Sequence, residues 1–239
     1  MLRRSFLAAC LLAALCGAAP AAAPAADIAL DPLKDGLILG GGIGLAGGSE
    51  LLLRTRAPAA PATPDLAGVN AVDRSAIFSY SRTISIVSDI TQYATVAIPL
   101  AIIATLEPRR MPGPGVVTLE AFSWAYGAKN TLKFLLPRDR PFMYGGGLPD
   151  GDPAENDQSF PSGHATMAFA AATAGALLFS TYYPGSPWLV PFLVADYAMA
   201  GLTASLRVLS GNHFVTDVLA GAALGTLCAY AIFALHPLP

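Results

Sequence analysis

Apolar residues in this chain fall in blocks longer than the core face of an ordinary soluble helix, and polar residues collect between them. After a short polar stretch at 27–35, residues 36–53 are apolar, with glycine at 36, 40, 44 and 48. Further blocks follow at 84–106, 115–135, 164–183, 188–206 and 214–235. A helix rises ~1.5 Å per residue, so about 20 apolar residues cross the hydrocarbon core of a bilayer. The pattern predicts an all-α fold, a polytopic membrane helix bundle of about five to six transmembrane helices, forming one domain over 26–239.

The intervening residues refine this picture. Glycines spaced by four share a helical face, and small residues let membrane helices approach closely. Gly36, Gly40, Gly44 and Gly48 are therefore expected to pack against a neighbour, as are Gly221 and Gly225. Glu50 argues against a full crossing by the first block. Pro99 predicts a kink in the second. Residues 54–83 read as a loop with three prolines and four arginines, of which 70–82 are expected to form an amphipathic helix on the membrane. Glu107 to Pro114 is a tight break. Residues 137–163 form a long loop rich in Gly, Pro and Asp, and such loops tend to be functional. Tyr182, Tyr183 and Trp188 have the spacing of an interfacial aromatic belt.

Composition agrees with a membrane setting. Charged residues make up 13% of the 239, against about 25% in soluble domains, and mean hydropathy is +0.53. A formal net charge of −2 provides no basic field, so a nucleic-acid partner is excluded. Residues 1–25 have the layout of a secretory signal peptide. Arg3 and Arg4 precede a short apolar run, and Ala23-Pro24-Ala25 or Ala19-Pro20-Ala21 offers a cleavage site. Leu7-Ala8-Ala9-Cys10 mimics a lipoprotein box, but the apolar run before it is too short. Cys10 and Cys16 fall in this leader, leaving Cys228 with no partner for a disulfide.

Three polar clusters border the apolar blocks: Lys133 with Arg140 and Pro141, then Pro161-Ser162-Gly163-His164, then Arg207, His213 and Asp217. In an alternating bundle all three fall on one membrane face. His213 and Asp217 are four apart, one turn of helix, so the carboxylate is expected to accept a hydrogen bond from one ring nitrogen and leave the other free as a nucleophile. His164 sits beside Ser162 and Gly163 at a helix N-terminus, where an anion is favoured, and can supply a proton. Lys133, Arg140 and Arg207 suit the charge of a phosphoryl group. Arg138 reads as an interfacial cation, and Lys129 is compatible with either role. Spacing alone does not say which histidine attacks. No cluster has the spacing of a metal site, and no cofactor is implied.

Lys133-x6-Arg140-Pro141, Pro161-Ser162-Gly163-His164 and Arg207-x5-His213-x3-Asp217 resemble, in order, the three signature motifs of the type-2 phosphatidic acid phosphatase superfamily, with the core motifs spanning 129–217. The family usually has serine directly before the third-motif arginine, where this chain has Leu206, with Ser205 one step earlier. The resemblance implies a metal-independent phosphatase working through a phosphohistidine. By motif position His213 attacks phosphorus, Asp217 orients it, and His164 protonates the leaving group and then activates water. Lys133, Arg140, Arg207, Ser162 and the Gly163 backbone hold the phosphoryl group. The apolar blocks favour the membrane branch, acting on phosphomonoester or pyrophosphate groups of lipids. Phosphatidic acid, phosphatidylglycerol phosphate, an isoprenoid carrier pyrophosphate and lipid A phosphates all qualify. Alternatives are a non-specific acid phosphatase or vanadate-dependent haloperoxidase of the same superfamily. A non-catalytic transporter or lipid-binding protein is another, for which Asp196 within an apolar block is the main support. Oligomeric state stays open.

Orientation is a matter of parity. A bacterial inner membrane is expected. If every block after a cleaved leader crosses, the clusters face the cytoplasm. If 36–53 enters without crossing, they face the periplasm. Arg109 and Arg110 in a short turn favour the periplasmic site by the positive-inside rule, whereas Arg54 and Arg56 oppose it.

Overall fold

A computed structural model describes residues 27–56, 64–145 and 155–236. The leader and its cleavage sites lie outside the described residues. The architecture is six long helices: α1 (Pro32–Thr55), α2 (Arg82–Ala104), α3 (Pro112–Leu135), α4 (Gly163–Tyr182), α5 (Leu189–Leu209) and α6 (Val215–Ala234). Asp31 caps α1, accepting from the backbone of Leu33 and Lys34 at 2.9 Å, with Pro32 in the first turn. This cap starts the helix before the apolar block does. All the long helices except α3 are long and apolar enough to cross a membrane. The chain is a multi-pass membrane protein. Helix α3 fails the hydropathy measure because it carries Glu120, Lys129, Asn130 and Lys133, all buried inside the bundle. It packs against α1, α4 and α6, with Val117, Ala121 and Ala125 fully enclosed.

The two glycine stripes behave differently. Gly221 and Gly225 press α6 onto α4, where a Cβ on Gly225 would lie 2.0 Å from the Thr166 carbonyl oxygen. The stripe at 36, 40, 44 and 48 packs against none of the described residues: a Cβ at any of these four would meet nothing within 4 Å. Helix α1 turns a different face to α3, with Gly42 against Ser123 and Trp124, and Gly127 against Leu45 and Ala46. The Trp124 indole N–H donates to the Ile38 carbonyl at 2.9 Å and fixes that face.

The amphipathic helix expected over 70–82 is corrected to a single turn, Ala71–Arg74, capped by Asn70. Farther on, the backbone is drawn into a tertiary contact before α2 begins. Ser81 N–H donates to the Ser210 carbonyl at 3.1 Å. Pro99 sits inside a continuous α2.

Candidate active site

The C-terminal ends of α1, α3 and α5 meet the N-terminal ends of α2, α4 and α6 at one end of the bundle. A cavity of about 690 Å³ opens there, lined among others by Lys133, Arg140, Gly163, His164, Arg207 and His213. The three clusters therefore share one site. Of the five residues expected to hold phosphate, only Ser162 does not line it. Ser162 is fully buried and its hydroxyl caps α4, accepting from Ala165 N–H at 3.4 Å.

The turn after α5 places His213. The backbone N–H groups of Asn212 and His213 both reach the Arg207 carbonyl at 3.2 Å. The turn needs glycine at 211, whose φ is +73° and where a Cβ would lie 2.5 Å from the Phe78 carbonyl oxygen. His213 Nδ1 lies 2.8 Å from the Ser159 carbonyl, which can only accept, so Nδ1 carries the proton and Nε2 is the nitrogen left for the cavity. Here the structure departs from expectation. Asp217 is 3.8 Å from Nδ1, too far for a hydrogen bond. The Ser159 carbonyl takes the contact expected of Asp217.

Asp217 instead holds the surrounding frame. It is completely buried and accepts from the Ser159 hydroxyl at 2.6 Å, from Phe214 N–H at 2.8 Å and from Arg138 Nη1. Arg138 also donates to Asp73 at 2.7 Å and to Thr216 at 2.8 Å. The interfacial reading of Arg138 is thus corrected: the residue bridges two buried carboxylates. Burial alone would lower its pKa, but Asp73 and Asp217 reverse this and hold it above the ordinary value.

Neighbouring loop segments supply the remaining positions. Arg138 N–H donates to the Asp157 carbonyl at 2.8 Å, Ser159 N–H to the Arg138 carbonyl at 2.9 Å, and Arg140 N–H to the Asn156 carbonyl at 2.9 Å. This pairing locks the cation motif beside the segment leading to His164. Lys133 Nζ donates to the Gln158 carbonyl, Arg140 to the Glu155 carbonyl at 2.9 Å and to Asn212 at 3.3 Å, and Arg207 to the hydroxyls of Ser85 at 2.9 Å and Ser88 at 3.1 Å. All three cations are buried, and Arg207 Nε has no hydrogen-bond partner among the described residues. Several buried donors with mostly neutral partners attract an anion. Burial, followed by Arg140, Arg207 and Lys133, holds His213 well below the ordinary imidazole range, so the ring is neutral.

Sequence reasoning missed Asp89 of α2. Its Oδ1 lies 2.7 Å from His164 Nε2 and 3.6 Å from Arg207 Nη1. The available signal was a single carboxylate in an apolar block. Glu50, read only as an obstacle to crossing, lines the cavity and accepts from Tyr126 at 2.9 Å and Asn130 at 3.0 Å. Ser205 does not replace the serine displaced by Leu206. It bonds back to the Gly201 carbonyl at 2.9 Å and is exposed, while Ser85 and Ser88 serve Arg207 instead. Asp196 is buried and neither oxygen has a hydrogen-bond partner among the described residues, but it is not part of this cavity.

The profile of the PAP2 superfamily matches residues 115–238, just over half of the chain. The chain belongs to this superfamily. The lipid A 1-phosphatase of Porphyromonas gingivalis is 41% identical over 86 residues, which is 36% of this chain and 17% of that protein. The chain thus spans about a sixth of that relative's length. The crystal structure of a transmembrane PAP2-type phosphatidylglycerolphosphate phosphatase from Bacillus subtilis superposes with a TM-score of 0.56 and 22% identity, covering 81% of this chain and 94% of that one. It shares the fold. The crystal structure of Aquifex aeolicus LpxE superposes with a TM-score of 0.48 and 21% identity, over 67% of this chain and 92% of that one.

Proposed function

We propose that this membrane phosphatase removes a phosphomonoester or pyrophosphate group from a lipid through a phosphohistidine on His213. One observation carries the reading. A neutral, oriented histidine shares a cavity at the end of a membrane bundle with three buried cations and a second histidine. In the first step His213 Nε2 forms a bond to phosphorus as the P–O bond to the lipid breaks. His164, entering the step as an imidazolium beside Asp89 and the bound phosphate, gives a proton to the leaving oxygen and is left neutral. In the second step water attacks phosphorus, the N–P bond breaks, and His164 takes the water proton. Lys133, Arg140, Arg207 and the Gly163 backbone steady the phosphoryl oxygens throughout. Leu53, Tyr93 and Met167 on the cavity wall give the lipid chain an apolar path.

Lipid A phosphate is our first choice of substrate, supported by the identity to the Porphyromonas relative. The test is a panel of lipid A, phosphatidylglycerol phosphate, phosphatidic acid and an isoprenoid pyrophosphate in detergent, with released phosphate measured. The expected result is release that is highest on lipid A. Release from another member alone would overturn the substrate, and release from none would overturn the function.

We place the site in the periplasm of a bacterial inner membrane. Arg109 is exposed in the turn between α2 and α3, at the end of the bundle away from the site. Arg110 pairs with Asp27, and a Cβ on Gly113 would lie 2.3 Å from the Ile28 carbonyl oxygen, so the start of α1 is at that same end. Helix α1 runs from there to the cavity, which Glu50 and Leu53 line, and this supports a full crossing by 36–53. A periplasmic site therefore puts Asp27 in the cytoplasm. On this reading the leader is not cleaved on the periplasmic side. Reporter fusions at residues 112 and 150, with sequencing of the mature N-terminus, test this. The expected outcome is a cytoplasmic signal at 112, a periplasmic signal at 150 and an uncleaved leader. The reverse signals would move the site to the cytoplasm.

A further inference from the structure

At the opposite end of the bundle, three side chains far apart in sequence meet in the interior. Asp35 comes from the first turn of α1, Glu120 from α3, and His236 from just beyond α6. They are 4%, 0% and 5% exposed. One donor atom from each lies within 4.8 Å of the others. His236 Nε2 is 3.0 Å from Asp35 Oδ1 and 3.4 Å from Glu120 Oε2.

The imidazole is already set for a cation. Its Nδ1 lies 2.8 Å from the Ile232 carbonyl, which only accepts, so Nδ1 carries a proton and Nε2 is the nitrogen that faces the two carboxylates, where a cation would take its lone pair. Histidines that bind metals commonly donate their other N–H to a backbone carbonyl in this way. A protonated ring would donate to Asp35 and attract Glu120 across 3.4 Å, but would leave both Glu120 oxygens without a hydrogen bond. Both Glu120 oxygens are fully buried and have no hydrogen-bond partner among the described residues. Lys34 gives Glu120 no hydrogen bond: its ammonium lies 3.4 Å from Asp35 and donates to the Leu235 carbonyl at 3.1 Å. A buried carboxylate without a donor is costly, and coordination to a cation removes that cost.

The geometry points to a structural site for a divalent transition-metal ion of the zinc class, bound by Asp35, Glu120 and His236. Donor separations of 3.0 and 3.4 Å bracket the roughly 3.3 Å expected between tetrahedral ligands at about 2.0 Å from zinc. One imidazole with two carboxylates suits zinc better than magnesium or calcium, which prefer all-oxygen sites. A cavity of about 210 Å³, lined by Ile28, Tyr230 and His236 among others, reaches the His236 side of the cluster. The ion would tie α1, α3 and the end of α6 together, far from the phosphate site.

The test uses the full chain without a histidine tag, in detergent, stripped with EDTA, desalted, incubated with zinc and gel-filtered. Retained metal is counted by mass spectrometry and melting is measured with and without zinc. Wild type and His213→Ala are expected to keep one zinc per chain and to gain roughly 5 to 10 °C at a hundredfold excess over Kd. Glu120→Gln and His236→Ala are expected to keep none and gain nothing. Glu120→Gln is nearly isosteric and removes the buried charge, so its metal-free form should melt no lower than metal-free wild type and decides the matter if His236→Ala fails to fold. Wild type that retains no zinc, or Glu120→Gln that retains as much as wild type, overturns the site. Loss of zinc in His213→Ala but not Glu120→Gln would show adventitious binding at the phosphate site, and would also overturn it.

Discussion

Replacing His213 with alanine will lower phosphate release on the order of 10³-fold or more and leave the bundle folded if, as proposed, the ring is the attacking group. The ring is buried, lines the cavity and bonds through Nδ1 to the Ser159 carbonyl. Lys133, Arg140 and Arg207 remain to bind the phosphoryl group, so binding should persist while turnover is lost. Initial rates on the preferred lipid, with acid-labile phosphoprotein sought in wild type and mutant, separate the two. EDTA should leave the wild-type rate unchanged below the melting temperature. Release by the mutant at the wild-type rate would remove His213 as nucleophile.

The same substitution has a pH signature. His213 is held well below the ordinary imidazole range by burial and then by Arg140, Arg207 and Lys133. Below about pH 6.5 the unfolded chain therefore binds a proton that the native ring refuses. The sign follows: this group costs nothing above that pH and removes stability as pH falls beneath it. Melting temperature should fall more steeply with acid in wild type than in His213→Ala. Equal slopes would mean that the native ring is protonated.

What could be read in the sequence, and what could not, follows from how each residue reaches the site. Lys133, Arg140, His164, Arg207 and His213 lie at the ends of apolar blocks, and alternation of helix direction brings such ends together without further information. Asp89 and Glu50 lie inside apolar blocks, where a lone carboxylate does not reveal which neighbour it meets. Arg138 has the position of an interfacial cation, and only the fold shows that Asp73 approaches it from a turn 65 residues earlier. Asp35, Glu120 and His236 share no local spacing, because three different helices bring them together. The glycine stripe at 36, 40, 44 and 48 has the right period, but a period does not say whether its face meets a neighbour.

Asp217→Asn will separate a direct catalytic partner from a supporting one. If the carboxylate bonded the ring, losing its charge would cost a large part of the rate, as in a serine-protease triad, where the corresponding change costs about 10⁴-fold. In this structure the Ser159 carbonyl fixes the tautomer and Asp217 stands 3.8 Å from Nδ1. Its two oxygens accept from Ser159 Oγ, Phe214 N–H and Arg138 Nη1. An asparagine has one acceptor oxygen. If that oxygen faces Ser159 and Phe214, the amide NH₂ confronts the Arg138 guanidinium; if it is flipped, Ser159 and Phe214 lose their acceptor. Either arrangement leaves buried donors opposed or unpaired, at about 1–3 kcal/mol for each unsatisfied group. The expected result is a lower melting temperature with kcat reduced only about 10- to 100-fold, the usual range for groups that orient a reactive side chain from one layer out. Ser159→Ala should reproduce part of the rate loss, since it removes one of the bonds through which Asp217 positions the segment carrying the Ser159 carbonyl. A 10⁴-fold loss in Asp217→Asn with an unchanged melting temperature would show that the carboxylate closes onto the ring during turnover, and that the supporting role assigned to it is wrong.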